Sequence, residues 1–468
     1  MTDPVQKGLL VSGAILAALT LVYLAYSQPW YFTSPTYLGA LLGLEFLLVA
    51  IWMYRRVFFL IVVLTFLSAG LNLPIGGTRV RWPVLAIGAF FGLLIALKDG
   101  CLRFRLFHVI ALLFVLATFI SATVSRYPTV ALLKCLSMLL LFVYAGTGAR
   151  IAANGREGRF VLGLLTGCEI FVGANVLFYA VGVEAMGNPN SLGAVMGAVS
   201  GPLLLWGVLL GGRPSVQWRR LILCTLCMYL AFISGSRAGI VTFFVSSALL
   251  LLALRKYKLL IEGTVVVAIV VSAVFLYQPN AVPSLAYSVI YKNGTGGVFT
   301  SRLSPWQTAA DNISNHFWFG MGLGTTANGN EPAGEQGLFS SSSLVSSENG
   351  SSYLALLSGV GILGALPFFV MLIVLLVKIV RTLSWTWTSR SASHPAIPLA
   401  ILIIAGLLHA AFEDWMFAVG NYLCVFYWSI VFIFADIAPE ASVSIRVPSG
   451  AAARATRRRS GEALNPFC

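Results

Sequence analysis

The residues in this sequence with chemical potential are a few arginines, carboxylates and histidines set beside serines and glycines at breaks between apolar runs. Ser234-Gly-Ser-Arg237-Ala-Gly239 stands at one such break. Its serines are of the type that caps a helix, and the helix that follows would aim its partial positive charge where the guanidinium sits. A capped start plus Arg237 makes an anion site; the competing reading is an arginine snorkelling to a lipid interface. Ser301-Arg302-Leu-Ser304-Pro305-Trp306-Gln307 repeats the arrangement. Ser304 and Gln307 have capping-box spacing, with Pro305 at the first helical position, which predicts a helix through Asn315 that begins just after Arg302. A guanidinium there suits phosphate oxygens; the alternative is a solvated loop arginine.

Three further features complete the chemical inventory. Ser346-Ser-Glu348-Asn349 comes just before a long apolar helix from about Ser352, where Glu348 would be either a cap or a base. His409 and Glu413, four residues apart, would share one helical face, as a buried stabilising pair or as part of a site lining. Lys134 lies inside an apolar run, and the sequence identifies no partner for it.

These residues are carried by elements that belong in lipid. The chain has 468 residues, 58% hydrophobic and 10% charged, with mean hydropathy +0.89. A soluble domain is about 25% charged, so the expected fold is an all-α polytopic membrane protein. Apolar runs of spanning length predict helices near 8–26, 37–54, 57–74, 83–97, 106–124, 129–149 and 160–182. Others are expected near 190–211, 220–235, 238–254, 259–277, 352–377, 396–412 and 416–435. Allowing for short or re-entrant segments, 12–14 cross the membrane. The run from Gly8 to Tyr26 reads as a first transmembrane helix rather than a cleaved signal. Residues 278–350 form one long, partly helical polar loop, and 438–468 a basic, disordered tail.

The distribution of charge orients the chain. With the N-terminus in the cytoplasm, 23 of the 30 Lys and Arg residues fall on inside segments, among them Arg55, Arg56, Arg150, Arg219, Arg220, Lys378 and the tail. Arg79, Arg81, Arg126, Arg237, Lys292 and Arg302 fall outside. That bias predicts cytoplasmic N- and C-termini and a periplasmic 278–350 loop. It also explains the net charge of +14 without invoking nucleic acid. Of seven cysteines, none lies in the long loop, so no disulfide framework is expected there. Cys224 and Cys227 have metal or redox spacing but sit in an apolar helix, where packing is the expected role. The sequence has no Walker loop, no His/Cys/Asp series with metal-ligand spacing and no Ser/His/Asp order, so neither a metal nor a cofactor is expected.

Several of these motifs occur in an ordered series. Gly187-Asn-Pro-Asn190-Ser-Leu-Gly193 is followed by Ser234-Gly-Ser-Arg237-Ala-Gly239. Next come Ser301-Arg302-x-x-x-Trp306-Gln307 and His316-Phe-Trp-Phe-Gly-Met-Gly322-x-Gly324. Glu348-Asn349-x-x-x-Tyr353-Leu354 and Gly359-Val-Gly361-Ile-Leu-Gly364 close it. The series resembles the O-antigen ligase and O-antigen/exopolysaccharide polymerase superfamily of bacterial inner membranes, over roughly residues 185–370.

The resemblance implies a ligase/polymerase-like core at 185–437 behind an N-terminal helix bundle at 1–184. It implies an inverting, metal-independent glycosyltransferase that takes glycan from an undecaprenyl-pyrophosphate carrier at the periplasmic face. A glycan or another lipid-linked molecule would be the acceptor, with a chain-length regulator and a flippase as candidate partners in the membrane. The family's donor-pyrophosphate arginines correspond to Arg237 and Arg302. Asn190, His316, Asn349, His409 and Glu413 are candidates to line the site. Where the ligase branch has a His-Asn pair this chain has Glu348-Asn349, which makes Glu348 the candidate catalytic base and favours polymerisation over ligation to lipid A-core. A transporter or flippase of similar size is the reading from a different class.

Overall fold

The computed structural model describes residues 34–71, 80–100, 102–125, 127–277, 300–325, 350–389 and 392–439, with scattered positions between 12 and 30. Among them all regular structure is helical, apart from one isolated antiparallel bridge between Leu71 and Met186. In chain order the helices are α1 (Pro35–Trp52), α2 (Tyr54–Ser68), α3 (Arg81–Asp99), α4 (Leu106–Thr123) and α5 (Pro128–Ala153). Then come α6 (Glu157–Ala180), α7 (Pro189–Leu209), α8 (Pro214–Ile233), α9 (Arg237–Ala253) and α10 (Tyr257–Tyr277). A short α11 (Thr300–Asn315) precedes α12 (Ser352–Ser389), α13 (Ala396–Ala410) and α14 (Tyr422–Ile437).

Among the described residues seven helices, α3 to α8 and α12, are long and apolar enough to cross a membrane. The chain is an all-α polytopic membrane protein, as its composition requires. The predicted helix at 8–26 lies mostly, and the tail beyond Pro439 wholly, outside the described residues. The chain divides into two compact units, Met1–Phe58 and Phe59–Cys468. In the first, α1 exposes Leu44, Phe46, Leu48 and Trp52, as a lipid-facing helix does. Tyr54 stacks on Phe58 with ring centroids 4.7 Å apart.

In the second unit the sequence marks its helix starts clearly. Proline occupies the first turn of α5, α7 and α8, where its missing N–H costs nothing. Asn188, Ser236 and Asn421 cap α7, α9 and α14 through their side chains. The interior belongs to the shortest spans. α13 and α14 are apolar over nearly their whole surface and almost wholly buried, as such helices must be. Around them Phe114 packs on Phe142, Phe368 and Phe417 with centroids 5.7–5.9 Å apart, and Phe142 packs on Trp428 at 4.8 Å. Cys227 is buried with its thiol 3.3 Å from the Met196 carbonyl, the packing role expected of it.

Three boundaries differ from expectation, and each change bears on the site. α11 starts at Thr300, so Ser304 is no cap and Pro305 lies inside the helix. Proline is tolerated there because the only bond it forgoes is to the Ser301 carbonyl, in the first turn. α13 stops at Ala410 and α14 begins at Tyr422, so the predicted start at 416 falls in a loop. Glu413 and Asp414 are costly to carry through lipid, and Asn421 supplies the cap that starts the next helix. Finally, α12 runs on to Ser389 but breaks at Gly361, whose φ of 65° and ψ of −175° are not helical.

Candidate functional site

The break in α12 is where the glycine motifs meet. Met321 N–H donates to the Ser358 carbonyl at 2.9 Å and Gly322 N–H to the Gly359 carbonyl at 2.8 Å. In return Ile362 N–H donates to the Phe317 carbonyl at 2.9 Å. A Gly-rich turn is thus laced into the opened helix by backbone bonds, which satisfies groups the break would otherwise orphan. From α4, Ser121 donates to the carbonyls of Phe319 (2.5 Å) and Gly359 (3.0 Å), and Ser125, just past its end, to that of Met321 (2.5 Å). A Cβ on Gly320 or Gly361 would lie 2.5 Å from the opposing backbone. No side chain fits at either position.

This lacing holds α11 against the start of α12, and with it Arg302. The Arg302 guanidinium donates to the Glu413 carboxylate, both side chains being about one-fifth exposed, at 21% and 17%. Trp306, one turn further along α11, donates its indole N–H to the Gly350 carbonyl at 3.4 Å. Gly350 has no side chain to hold Arg302 off: a Cβ there would come within 3.2 Å of Arg302 Cδ. Ser352 donates its hydroxyl to the Glu413 carbonyl at 2.7 Å and accepts from the backbone N–H groups of Trp415 and Met416 at 3.1 Å. The loop from Ala411 to Asn421 therefore binds α11 to the start of α12.

The same loop reaches the Arg237 region. Arg81 donates to the Gly420 carbonyl, and the Tyr422 hydroxyl donates to the Ser191 carbonyl in α7 at 3.1 Å. Two residues on, Gly193 packs directly on Ser234 and Ser236, and Gly197 packs on the Gly239 backbone, where any Cβ would be 2.0–2.4 Å from its neighbour. Glycines spaced four apart let two helices approach this closely. Ser236 accepts from Gly239 N–H at 3.3 Å, so Arg237 is the first residue of a capped helix, as its sequence predicted. A π-helical turn at Met196–Ser200 in α7 lies against it, a feature often found at functional sites.

The expected site residues are thus only partly gathered. Arg302 and Glu413 are paired, and Arg237 lies on α9, joined to them through α7 and the 411–421 loop. His409 and Glu413 do not share a helical face, because α13 ends between them. Buried His409 instead accepts the indole N–H of Trp415 at its Nδ1, 2.9 Å away. Asn190 is half-buried beside the α7 cap. His316 is exposed at the far end of α11, about 21 Å along the helix from Arg302 at 1.5 Å per residue. Glu348 and Asn349 lie outside the described residues. Sequence reasoning left Lys134 without a partner and missed the role of Arg81 and Asp414. Lys134 packs on Gly324, 3.1 Å from the position of a Cβ there, and interacts electrostatically with Asp414 and Arg81. A signal for the loop was present: adjacent carboxylates at Glu413-Asp414 do not belong inside a membrane helix.

Arg302, Glu413 and the glycine-laced turn are thus brought together at one end of a helical membrane protein. Residues 221–369 match the model of the O-antigen ligase family. This segment contains Arg237, Arg302 and the α12 break, and the match supports the O-antigen ligase/polymerase superfamily and a membrane glycan-processing function. No curated protein matches the chain.

Proposed function

We propose that the chain polymerises repeat units of a surface polysaccharide or exopolysaccharide, drawing glycan from an undecaprenyl-pyrophosphate carrier at the periplasmic face of the inner membrane. The observation that carries this reading is the Arg302 guanidinium, beside Gly350 within the family-matched segment and held by Glu413 from the loop beyond it. In this reading an acceptor hydroxyl attacks the anomeric carbon. The bond to the carrier pyrophosphate breaks with inversion, and the leaving group takes the bonding electrons. Arg302 and the capped start at Arg237 oppose the charge that grows on the pyrophosphate. Glu413 keeps the Arg302 fork oriented until the donor's oxygens share it. Glu348, two residues before Gly350 in the chain, takes the acceptor's proton.

Ligation to lipid A-core is the second reading, favoured by the description of the matching family. Purified protein given its lipid-linked repeat unit separates the two. Lengthened lipid-linked glycan supports polymerisation, transfer onto lipid A-core supports ligation, and neither product sinks both. In the same assay Glu348→Gln should lower turnover by roughly 100-fold or more with donor affinity retained, since the amide keeps the shape and loses the basicity. A Gln variant within threefold of the wild type removes Glu348 from the mechanism. Reporter fusions after residues 256 and 460 should read cytoplasmic and one near 330 periplasmic; the opposite pattern puts the site on the wrong side.

A further inference from the structure

We propose that a cavity formed where α2, α3, α7 and α14 meet binds a sugar residue of the glycan; this rests on the reading of the chain as a glycan polymerase or ligase. The cavity measures about 280 Å³. That is the volume of roughly nine waters at about 30 Å³ each, too large for a single ion and near the lower end of small-molecule sites. Its walls include Phe66, Arg81, Asn188, Ser191, Asn421 and Tyr422, a lining that does not include Arg237, Arg302 or Glu413.

The chemistry of the walls selects the ligand. Asn188 Oδ1 accepts from Asn190 N–H at 2.9 Å and Asn421 Oδ1 from Leu423 N–H at 2.8 Å. Each asparagine spends its oxygen on a helix cap and keeps its NH₂ as the group it can offer a ligand. Arg81, anchored on the Gly420 carbonyl, adds a guanidinium, another donor-only group. The lining side chains thus offer mainly donors, beside the edge of the Tyr422 ring, 9% exposed. Sugars match that combination: hydroxyl and ring oxygens accept from amides and guanidinium, while a C–H face meets the aromatic edge. A lipid tail would leave the donors unsatisfied, and the cavity is larger than a bare phosphate fills.

The walls are also fixed before any ligand arrives. The Tyr422 hydroxyl is held on the Ser191 carbonyl, and its ring fills the space a Cβ on Gly70 would need, 2.8 Å away. Gly187 N–H donates to the Gly70 carbonyl at 3.2 Å, which ties α2 to the start of α7. Such preorganisation reduces the ordering cost of binding. Because Arg81 and Tyr422 border the same 411–421 loop that carries Glu413, the cavity is joined to the Arg302 pair by a few residues of backbone. A sugar held there would place the neighbouring part of the chain toward the reacting end.

The test uses full-length protein in detergent, with oligosaccharide released by mild acid from the host's lipid-linked glycan as the probe. Asn188→Asp and Asn421→Asp keep the cap oxygen and exchange the NH₂ donor for a carboxylate. Asn188→Ser keeps a capping hydroxyl without adding charge. Each should weaken oligosaccharide binding about tenfold, the scale of one lost hydrogen bond. KM for the acceptor should rise while kcat on saturating acceptor stays within about threefold. Wild-type affinity in all three variants overturns the sugar site, as does a wild type that transfers glycan yet does not bind the oligosaccharide. Displacement of the oligosaccharide by inorganic pyrophosphate from the wild type but not from Asn188→Asp assigns the cavity to the carrier's phosphates and overturns it too. A wild type that transfers nothing defeats the functional reading itself, a different result from any of these.

Discussion

Each end of the helical bundle holds an arginine bound to a carboxylate, and the two pairs are built differently. At the end opposite the long loop, Arg150 is only 2% exposed. It donates to Asp436 through Nε at 2.5 Å and Nη2 at 2.9 Å, and to the carbonyls of Gly146 at 3.0 Å and Arg103 at 2.7 Å. A π-helical turn at Ala145–Ala149 lies just before it, and Lys378 donates to the Ala435 carbonyl one residue from Asp436. The guanidinium's bonds all close on the protein, and of this pair only the Asp436 carboxylate, 26% exposed, meets solvent. At the loop-bearing end Arg302 meets Glu413 at one-fifth exposure, between a glycine and an indole. A closed set fixes helices, whereas a pair with a solvent edge can exchange one anionic partner for another. In the proposed reading the same residue type serves architecture at one end and recognition at the other.

The largest test of that contrast replaces each arginine by alanine. Arg150→Ala should remove the four hydrogen bonds of a buried guanidinium and leave the part-exposed Asp436 without its partner, costing roughly 1–3 kcal/mol of stability. Its readout is loss of folded protein in a thermal or detergent-challenge assay. Arg302→Ala should leave abundance and melting nearly unchanged while transfer falls about 100- to 1000-fold, or roughly 3–4 kcal/mol of barrier. Lysine should restore only part of it, because a point charge does not reproduce the bidentate fork. Should Arg302→Ala melt as early as Arg150→Ala, the two ends are built alike and Arg302 is a structural residue.

The next effect separates the scaffold of the loop-bearing end from its chemistry. Gly361 and Gly320 both have positive φ, 65° and 69°, and a Cβ at either would meet backbone at 2.5 Å. Left-handed geometry alone costs a non-glycine residue roughly 1–2 kcal/mol, and the backbone collision adds to that. Alanine at either position should lower thermal stability by a few degrees and free the 316–324 turn from α12. Backbone exchange at Met321 and Gly322 would accelerate as their bonds to Ser358 and Gly359 open. Unchanged protection there would mean the turn is held by α4 alone.

Much of this was legible in the sequence, and what was not has a physical pattern. Apolar run length placed α3 to α10 within about four residues at each end, except the start of α8, expected at 220 and found at Pro214, because lipid permits no alternative to a helix. The cap at Ser236 ahead of Arg237 was likewise visible. The glycines of 320–324 and 359–364 could be seen as motifs, but not that they face each other. Backbone pairing between segments some forty residues apart leaves no periodicity to read. His409 and Glu413 were misread together because spacing by four implies a shared face only if the helix continues. Helix ends are decided by local competition: here the cost of burying Glu413 and Asp414 stops α13, and Asn421 starts α14. The pairing of Glu413 with Arg302, more than a hundred residues earlier, is a tertiary fact. So are the environments of Arg81 and Lys134.

The smallest expected effect lies within the closed end and sharpens what closure means. Glu169, buried on α6, accepts from two neighbours on α8: Arg220 Nε at 2.8 Å and Arg219 Nη2 at 2.6 Å. The distances are nearly equal, but the surroundings are not. The Arg220 side chain is 13% exposed and also donates to the Gly207 carbonyl at 3.0 Å, whereas that of Arg219 is 57% exposed. An ion pair with one partner in solvent contributes about 0–1 kcal/mol. Arg219→Ala also leaves Glu169 its pairing with Arg220, so its stability should fall by under about 1 kcal/mol. Arg220→Ala removes the buried partner and the tie to α7, and should cost several times more. Thermal melts of the two variants in the same detergent decide it. Equal losses would mean that burial does not set the strength of these pairs, and the distinction between the bundle's two ends would lose its physical basis.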